Sequence, residues 1–322
     1  MFHCSVLLLW LQLASAQIQS TASGVIAKPG CRYLCGKVSI PYPFGIGPGC
    51  FIESGFEITC KNGGPMKGFL NVTNISVLNG EMTVEAPIAT SCSDSDLDYN
   101  SNYYFAGFTI SSTKNKLISI GCDSSAHIFG YPSIGLQGCS DCTKNEDVTD
   151  GSCNGMGCCE TSIPAGLTLT NVTAERHTRK DLSTNNPCSY AFIAEDSWFN
   201  FSSSYLQDFK NKGTGSVPLV LDWTIGSGTC TEAACGPNAV CKSGNNMAPG
   251  YRCDCKSGYA GNPYLDTTTG GHCQEISNCN DNSALGCSPR SESFSPSKVN
   301  KIIAGTCLSL SLLLVTSFIL GI

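Results

Sequence analysis

Cysteine constrains this chain more than any other residue type. There are 22 cysteines among 322 residues. Cys4 and Cys307 lie in terminal apolar runs, and the other 20, an even number, fall between Cys31 and Cys287. That density belongs to an oxidising compartment, where each pair can close as a disulfide and restrain the unfolded ensemble by roughly 2–4 kcal/mol. Charged residues make up only 14% of the chain. Bridges, rather than an extensive ion-pair network, are therefore expected to hold the fold. Spacing alone leaves the connectivity open, since even six cysteines can pair in fifteen ways.

The N-terminus agrees with that compartment. Residues 5–13 read SVLLLWLQL, and Ala14-Ser15-Ala16 has the A-x-A form of a signal-peptidase site. Residues 1–16 are expected to be a cleaved signal peptide, with the mature chain starting near Gln17. The C-terminus is also apolar. Residues 302–322, IIAGTCLSLSLLLVTSFILGI, carry no charge and follow a Ser/Pro-rich stretch, SPRSESFSPSK. The length suits a transmembrane helix. A membrane span is normally followed by Lys or Arg, yet here Lys298 and Lys301 precede the run. A glycosylphosphatidylinositol (GPI) signal fits these ends better, with Ser291 or Ser293 giving the polar spacer. Both readings place the chain on a membrane through its tail, on the extracellular face.

Between these ends the sequence divides into cysteine-rich stretches expected at 27–135, 136–229 and 230–273, with 274–301 as a stalk. In the first, Asn79-Gly80 separates NVTNISVL from EMTVEA, a strong two-residue hairpin signal. YYFAGFTIS and KLISIGC are expected to form a second strand pair about Thr113-Lys114-Asn115. In the second, SYAFIAEDSWFNF and VPLVLDWTIG are expected to supply strands or a short helix on a small core. No long 3.6-residue periodicity appears in the first stretch, so it is expected to be β-rich. Four N-x-S/T sequons, at Asn71, Asn74, Asn171 and Asn200, are glycosylation candidates in a secreted chain. Asn74 is the foremost of these, since it faces away from Ile75 on its predicted strand.

The net charge is −6, but it is uneven. Residues 25–92 balance at +1, 93–229 at −7, and 230–322 at zero. An acidic chain with no basic stripe excludes nucleic acid as a partner, and residues 25–92 are the part least repelled by a polyanion. Gly45-x-Gly47-x-Gly49 resembles a phosphate loop only in its glycines. No Lys-Ser/Thr follows Gly49, and Pro41, Pro43 and Pro48 remove backbone donors that such a loop would use. No G-x-S-x-G or H-E-x-x-H motif accompanies His127, His177 and His272. Cys139-Ser-Asp-Cys142 and Cys158-Cys159 read as disulfide cysteines rather than metal or redox pairs. No enzyme activity, catalytic residue, metal site or cofactor is expected.

Two resemblances follow from particular motifs. Cys230, Cys235, Cys241, Cys253, Cys255 and Cys273 are spaced C-x4-C-x5-C-x11-C-x-C-x17-C, and with "CDCKSGYAGNPYL" this resembles an epidermal growth factor (EGF)-like domain. The resemblance implies bridges Cys230–Cys241, Cys235–Cys253 and Cys255–Cys273. More widely, "CRYLCGKVSIPYPFGIGPGC" and "NKLISIGCD" look like the galacturonan-binding module of plant wall-associated receptor kinases. "GSCNGMGCCETSIPAGL", "CSYAFIAEDSWF" and "VPLVLDWTIG" look like their wall-associated C-terminal cysteine-rich module. The implied fold class is mostly β: small disulfide-rich modules in tandem, two of them β-rich, followed by an EGF-like domain. Where the family continues with a calcium-binding EGF-like domain, this chain has only Glu275-Ile-Ser-Asn-Cys279 and Cys287, so that domain is expected to be vestigial. The kinase motifs are missing from these residues.

The resemblance implies a kinase-less, extracellular, pectin-binding protein. A polymer with one carboxylate per sugar calls for cations and aromatic faces. Arg32, Lys37, Lys61 and Lys67 are the cationic candidates, and Tyr33 and Tyr42 the stacking ones. The alternative is a co-receptor or decoy that binds a partner receptor or peptide and has no sugar affinity.

Overall fold

The computed structural model describes residues 27–92, 99–104, 107–131, 148–176, 188–212, 215–230, 235–244, 248–268 and 271–276. The signal and tail segments, the Ser/Pro stalk, Cys139-Ser-Asp-Cys142 and His177 lie outside these residues. The described chain is mostly β, with cysteine-rich modules following one another in sequence.

Hydrophobic alternation builds the first hairpin. In Leu70–Ser76, Leu70, Val72 and Ile75 are buried, and in Glu81–Pro87 so are Met82, Val84 and Ala86. The two strands pair antiparallel, with Ile75 opposite Met82. The expected hairpin is present, but its connection is four residues long, because Ser76 pairs with Glu81. Val77 belongs to the turn rather than to a strand. Gly80 takes the left-handed conformation (φ +69°) that only glycine adopts without strain.

The second expected pair does not form. Phe108–Ile110 and Asn115–Ile120 go to different sheets. Phe108, Thr109 and Ile110 are all buried, as are five of the six residues of Asn115–Ile120. Each therefore needs apolar cover on both faces, which a two-stranded hairpin could not provide. Asn115 fixes the crossing between them. Its Nδ2 donates to the carbonyls of Ser111 (2.7 Å) and Val220 (2.8 Å), and its Oδ1 accepts from Val220 N–H (3.0 Å).

The sheets interleave the stretches on either side of residue 136. A six-stranded sheet runs Thr59–Lys61, Gly64–Lys67, Leu70–Ser76, Glu81–Pro87, Ser216–Trp223, Phe108–Ile110. A four-stranded sheet runs Cys158–Ser162, Asn115–Ile120, Cys188–Glu195, Ala89–Cys92, and a three-stranded one runs Ser124–Tyr131, Leu169–Arg176, Ser101–Tyr104. VPLVLDW thus lies between strands of the first stretch, with Leu219 opposite Val84 and Leu221 opposite Ile110. Cys92 and Cys188 are cross-strand partners and are bridged. The expected separate small core is absent: one hydrophobic cluster takes Phe44, Val84 and Ile118 from the first stretch and Phe192, Leu219 and Trp223 from the second. The helix, Tyr205–Lys212, is broken at Asp208 (φ −163°, ψ 72°) and packs Phe209 on Phe192 with ring centroids 5.1 Å apart.

The EGF-like region has the three bridges that the resemblance implied: Cys230–Cys241, Cys235–Cys253 and Cys255–Cys273. It is docked against the sheets rather than tethered to them. Phe44, Phe56 and Phe108 surround the fully buried Trp223, with Phe44 and Phe56 edge-on at 5.4 and 5.6 Å, and Tyr264 completes the set at 5.9 Å. Such edge-on aromatic contacts are worth about 0.5–1.5 kcal/mol each beyond the area they bury. Ile225 and Tyr251 exchange both backbone hydrogen bonds. Arg252 Nη1 donates to the carbonyl of Asn79 at the hairpin tip, and Thr224 Oγ1 donates to Pro249 O (2.5 Å).

Candidate functional site

The loop from Cys35 to Cys50 joins the candidate cations to this core. Its two end cysteines have separate partners: Cys31–Cys50 and Cys35–Cys60 are the bridges. Pro41, Pro43, Phe44 and Gly45 are buried. Gly45 is close-packed, since a Cβ there would meet the Cys50 carbonyl oxygen at 2.1 Å. Its amide donates to Phe56 O (3.3 Å) and its carbonyl accepts from Ile58 N–H (2.9 Å). These backbone groups are used internally, as a structural loop requires and a phosphate cradle does not.

Leu34–Cys35 and Val38–Ser39 form a small hairpin that turns at Gly36-Lys37. Thr59–Lys61 and Gly64–Lys67 form another, turning at Asn62-Gly63, both with positive φ. The two tips touch. A Cβ on Gly36 would lie 2.2 Å from the Gly63 carbonyl oxygen, and the Cys35–Cys60 bridge ties the strands behind them. Lys37 and Lys61 therefore flank one contact. Both are exposed, and neither is paired with a described residue. Arg32 and Tyr33 lie at the base of the first hairpin. Tyr33 is 41% exposed and its carbonyl accepts from Ile40 N–H (2.8 Å), while Arg32 Nε donates to Leu34 O (2.7 Å).

Two candidates lie elsewhere. Lys67 folds inward: its ammonium donates to the carbonyl of Gly55 and to that of Glu57 (3.4 Å), 5.4 Å from the centroid of the Phe108 ring. Burial holds its pKa below the ordinary value, and nearby Glu57 opposes the shift. Tyr42 faces the EGF-like region. Its carbonyl accepts from Asn262 Nδ2 (2.5 Å), and Lys28 Nζ sits 5.9 Å from its ring centroid while donating to Gly49 O (2.9 Å). Burial raises its phenol pKa, with Tyr251 and Asp266 adding to the effect. Sequence reasoning passed over Lys28, and nothing in its local pattern connects it to a tyrosine fourteen residues on. It also passed over Leu34, exposed beside Tyr33.

The sequons differ in setting. Asn71, Asn74 and Asn200 are exposed, and Asn171 is half-buried. Asn71 Nδ2 donates to Glu85 Oε2 (2.9 Å) and Asn171 Nδ2 to Asn102 Oδ1 (2.5 Å).

Comparison with known proteins places this geometry. Residues 31–86 match the family described as wall-associated receptor kinase galacturonan-binding, and residues 150–229 match that described as wall-associated kinase. The touching hairpin tips fall within the first match. Wall-associated receptor kinase 5 of Arabidopsis thaliana is 34% identical over 268 residues, covering 77% of this chain and 35% of its own length. Wall-associated receptor kinase 2 is 33% identical over 265 residues with the same coverage, and wall-associated receptor kinase-like 10 is 28% identical over 321. The chain spans about a third of the length of these curated relatives. No solved structure matches it significantly. With both modules present, the chain is a homologue of the wall-associated receptor kinases over their cysteine-rich ectodomain region.

Proposed function

We propose that this chain binds pectin, as polygalacturonate or its oligomers, at the extracellular face of the plasma membrane, and that Lys37 and Lys61 form the centre of the site. The observation that carries the reading is the contact between the Gly36 and Gly63 turns, within the residues that match the galacturonan-binding family. It brings together the two hairpins that carry the exposed Lys37 and Lys61, neither paired with a described residue, and Arg32 and the exposed Tyr33 lie at the base of the first hairpin. A carboxylate-bearing polymer can engage several such cations at once, and each exposed pair adds about 0.2–1 kcal/mol. Lys67, with its ammonium under two carbonyls, contributes to the fold beneath the site, and Tyr42 contributes through its docking with Asn262.

The test is binding of the intact chain to immobilised polygalacturonate. Lys37→Glu with Lys61→Glu is expected to weaken binding about tenfold or more. Dividing the chain near residue 136 would unpair Ser216–Trp223 from Glu81–Pro87, so point variants of the whole chain are the suitable probes. The alternative, a protein-binding face without sugar affinity, is favoured by the balance of only +1 over residues 25–92 and by exposed Leu34 next to Tyr33. It requires that Leu34→Ser abolish capture of a partner receptor while polygalacturonate fails to bind.

A further inference from the structure

On the outward face of the three-stranded sheet, a sequon lies directly opposite an exposed aromatic ring. Asn171-Val-Thr173 belongs to Leu169–Arg176, and in the antiparallel register Asn171 pairs with Phe129 on one side and Asn102 on the other. Residues paired in this way point to the same face, with Cβ atoms ~4.5–5.5 Å apart. Phe129 is 53% exposed, whereas Ile128 beside it is buried. The His127 ring stacks with it, with centroids 6.0 Å apart and 19° between planes. Asn171 Nδ2 gives one hydrogen to Asn102, which leaves the other for a glycosidic bond.

We propose that Asn171 carries an N-glycan whose first N-acetylglucosamine lies over Phe129. One face of that sugar presents only axial C–H groups. Laid on an aromatic ring, it covers apolar surface that would otherwise meet water. The bond to Asn102 holds the amide on the outward face of the sheet, and Phe129 on the other neighbouring strand is the exposed aromatic surface beside it. Asn74 lacks such a platform, since the residue opposite it is Thr83. The glycan on Asn171 is thus a stabilising part of the folded surface, and one on Asn74 is not.

The experiment uses the whole chain secreted from a eukaryotic host that makes high-mannose glycans. Glycopeptide mass spectrometry is expected to find Asn171 occupied. Thermal unfolding is then compared for Asn171→Gln in three backgrounds: native Phe129, Phe129→Trp and Phe129→Thr. A contact of ordinary aromatic strength in a body this size is expected to give a Tm loss ~2–4 °C larger in the first two backgrounds than in the third. Trimming the glycan to a single sugar should leave that difference intact. An unmodified Asn171, an equal loss in all three backgrounds, or a difference that disappears on trimming would each overturn the proposal. The loss of the Asn102 bond is common to every background and cancels in the comparison.

Discussion

Gly80→Ala tests how the EGF-like region is attached. At φ +69° an alanine incurs the left-handed penalty of roughly 1–2 kcal/mol. Its Cβ would also lie 1.7 Å from Arg252 Nη1 and 2.6 Å from Arg252 Cδ and Cζ. Arg252 is 7% exposed and must move, which breaks its hydrogen bond to the Asn79 carbonyl. A hydrogen bond to a charged donor is worth about 1.5–3 kcal/mol, so the total is roughly 3–5 kcal/mol. Gly49→Ala is the control, because its φ is +79° but nothing lies within 4 Å of the added Cβ. It should incur the backbone penalty alone. In thermal unfolding with disulfides intact, Gly80→Ala should lower Tm on the order of 10 °C, and Gly49→Ala about half of that or less. Against an Arg252→Met background, the excess at Gly80 should shrink. Equal losses at the two glycines, or an excess that persists with Arg252→Met, would refute the idea that Arg252 clamps the hairpin tip.

Three further outcomes follow from the same structure. The Cys92–Cys188 bridge closes a sequence separation of 96 and Cys153–Cys158 one of 5; by loop entropy their removal should cost about 4.7 and about 2 kcal/mol, read as a larger Tm loss for the paired serine variant of the first. Lys67 has a folded pKa below its unfolded value, so the unfolded chain binds more protons between the two. Stability should therefore rise with pH as Lys67 deprotonates, from its lowered folded pKa up to the ordinary 10.5, and Lys67→Met should remove that rise in pH-dependent denaturant titrations. Lys67→Met should also leave polygalacturonate binding within about twofold of the native chain, because its ammonium is already held by carbonyl oxygens.

What the sequence revealed was mostly local. Asn79-Gly80 marked the hairpin, because glycine is needed at Gly80, but the length of the turn depended on where Ser76 and Glu81 paired. The EGF-like bridges followed from six spacings and a family resemblance. The interleaving of the sheets was hidden for a physical reason. Leu219 meets Val84 across more than a hundred intervening residues, and two buried apolar strands carry no local mark of their partner. Counting cations found Lys37 and Lys61, which stay in solvent. The same count could not separate Lys67 from them, because backbone carbonyls leave no trace in side-chain composition. The contact between the turns that carry Lys37 and Lys61 was equally hidden, since it depends on the Cys35–Cys60 bridge and on two glycines small enough to touch.

The most direct measurement is the affinity of the intact chain for polygalacturonate as salt is raised, alongside a fully methyl-esterified polymer. Binding should weaken as salt screens the exposed lysines, fall about tenfold or more with Lys37→Glu and Lys61→Glu together, and be lost on the uncharged polymer. Salt-insensitive binding, or full affinity in the charge-reversed variant, would contradict the assignment of pectin to the touching hairpin tips.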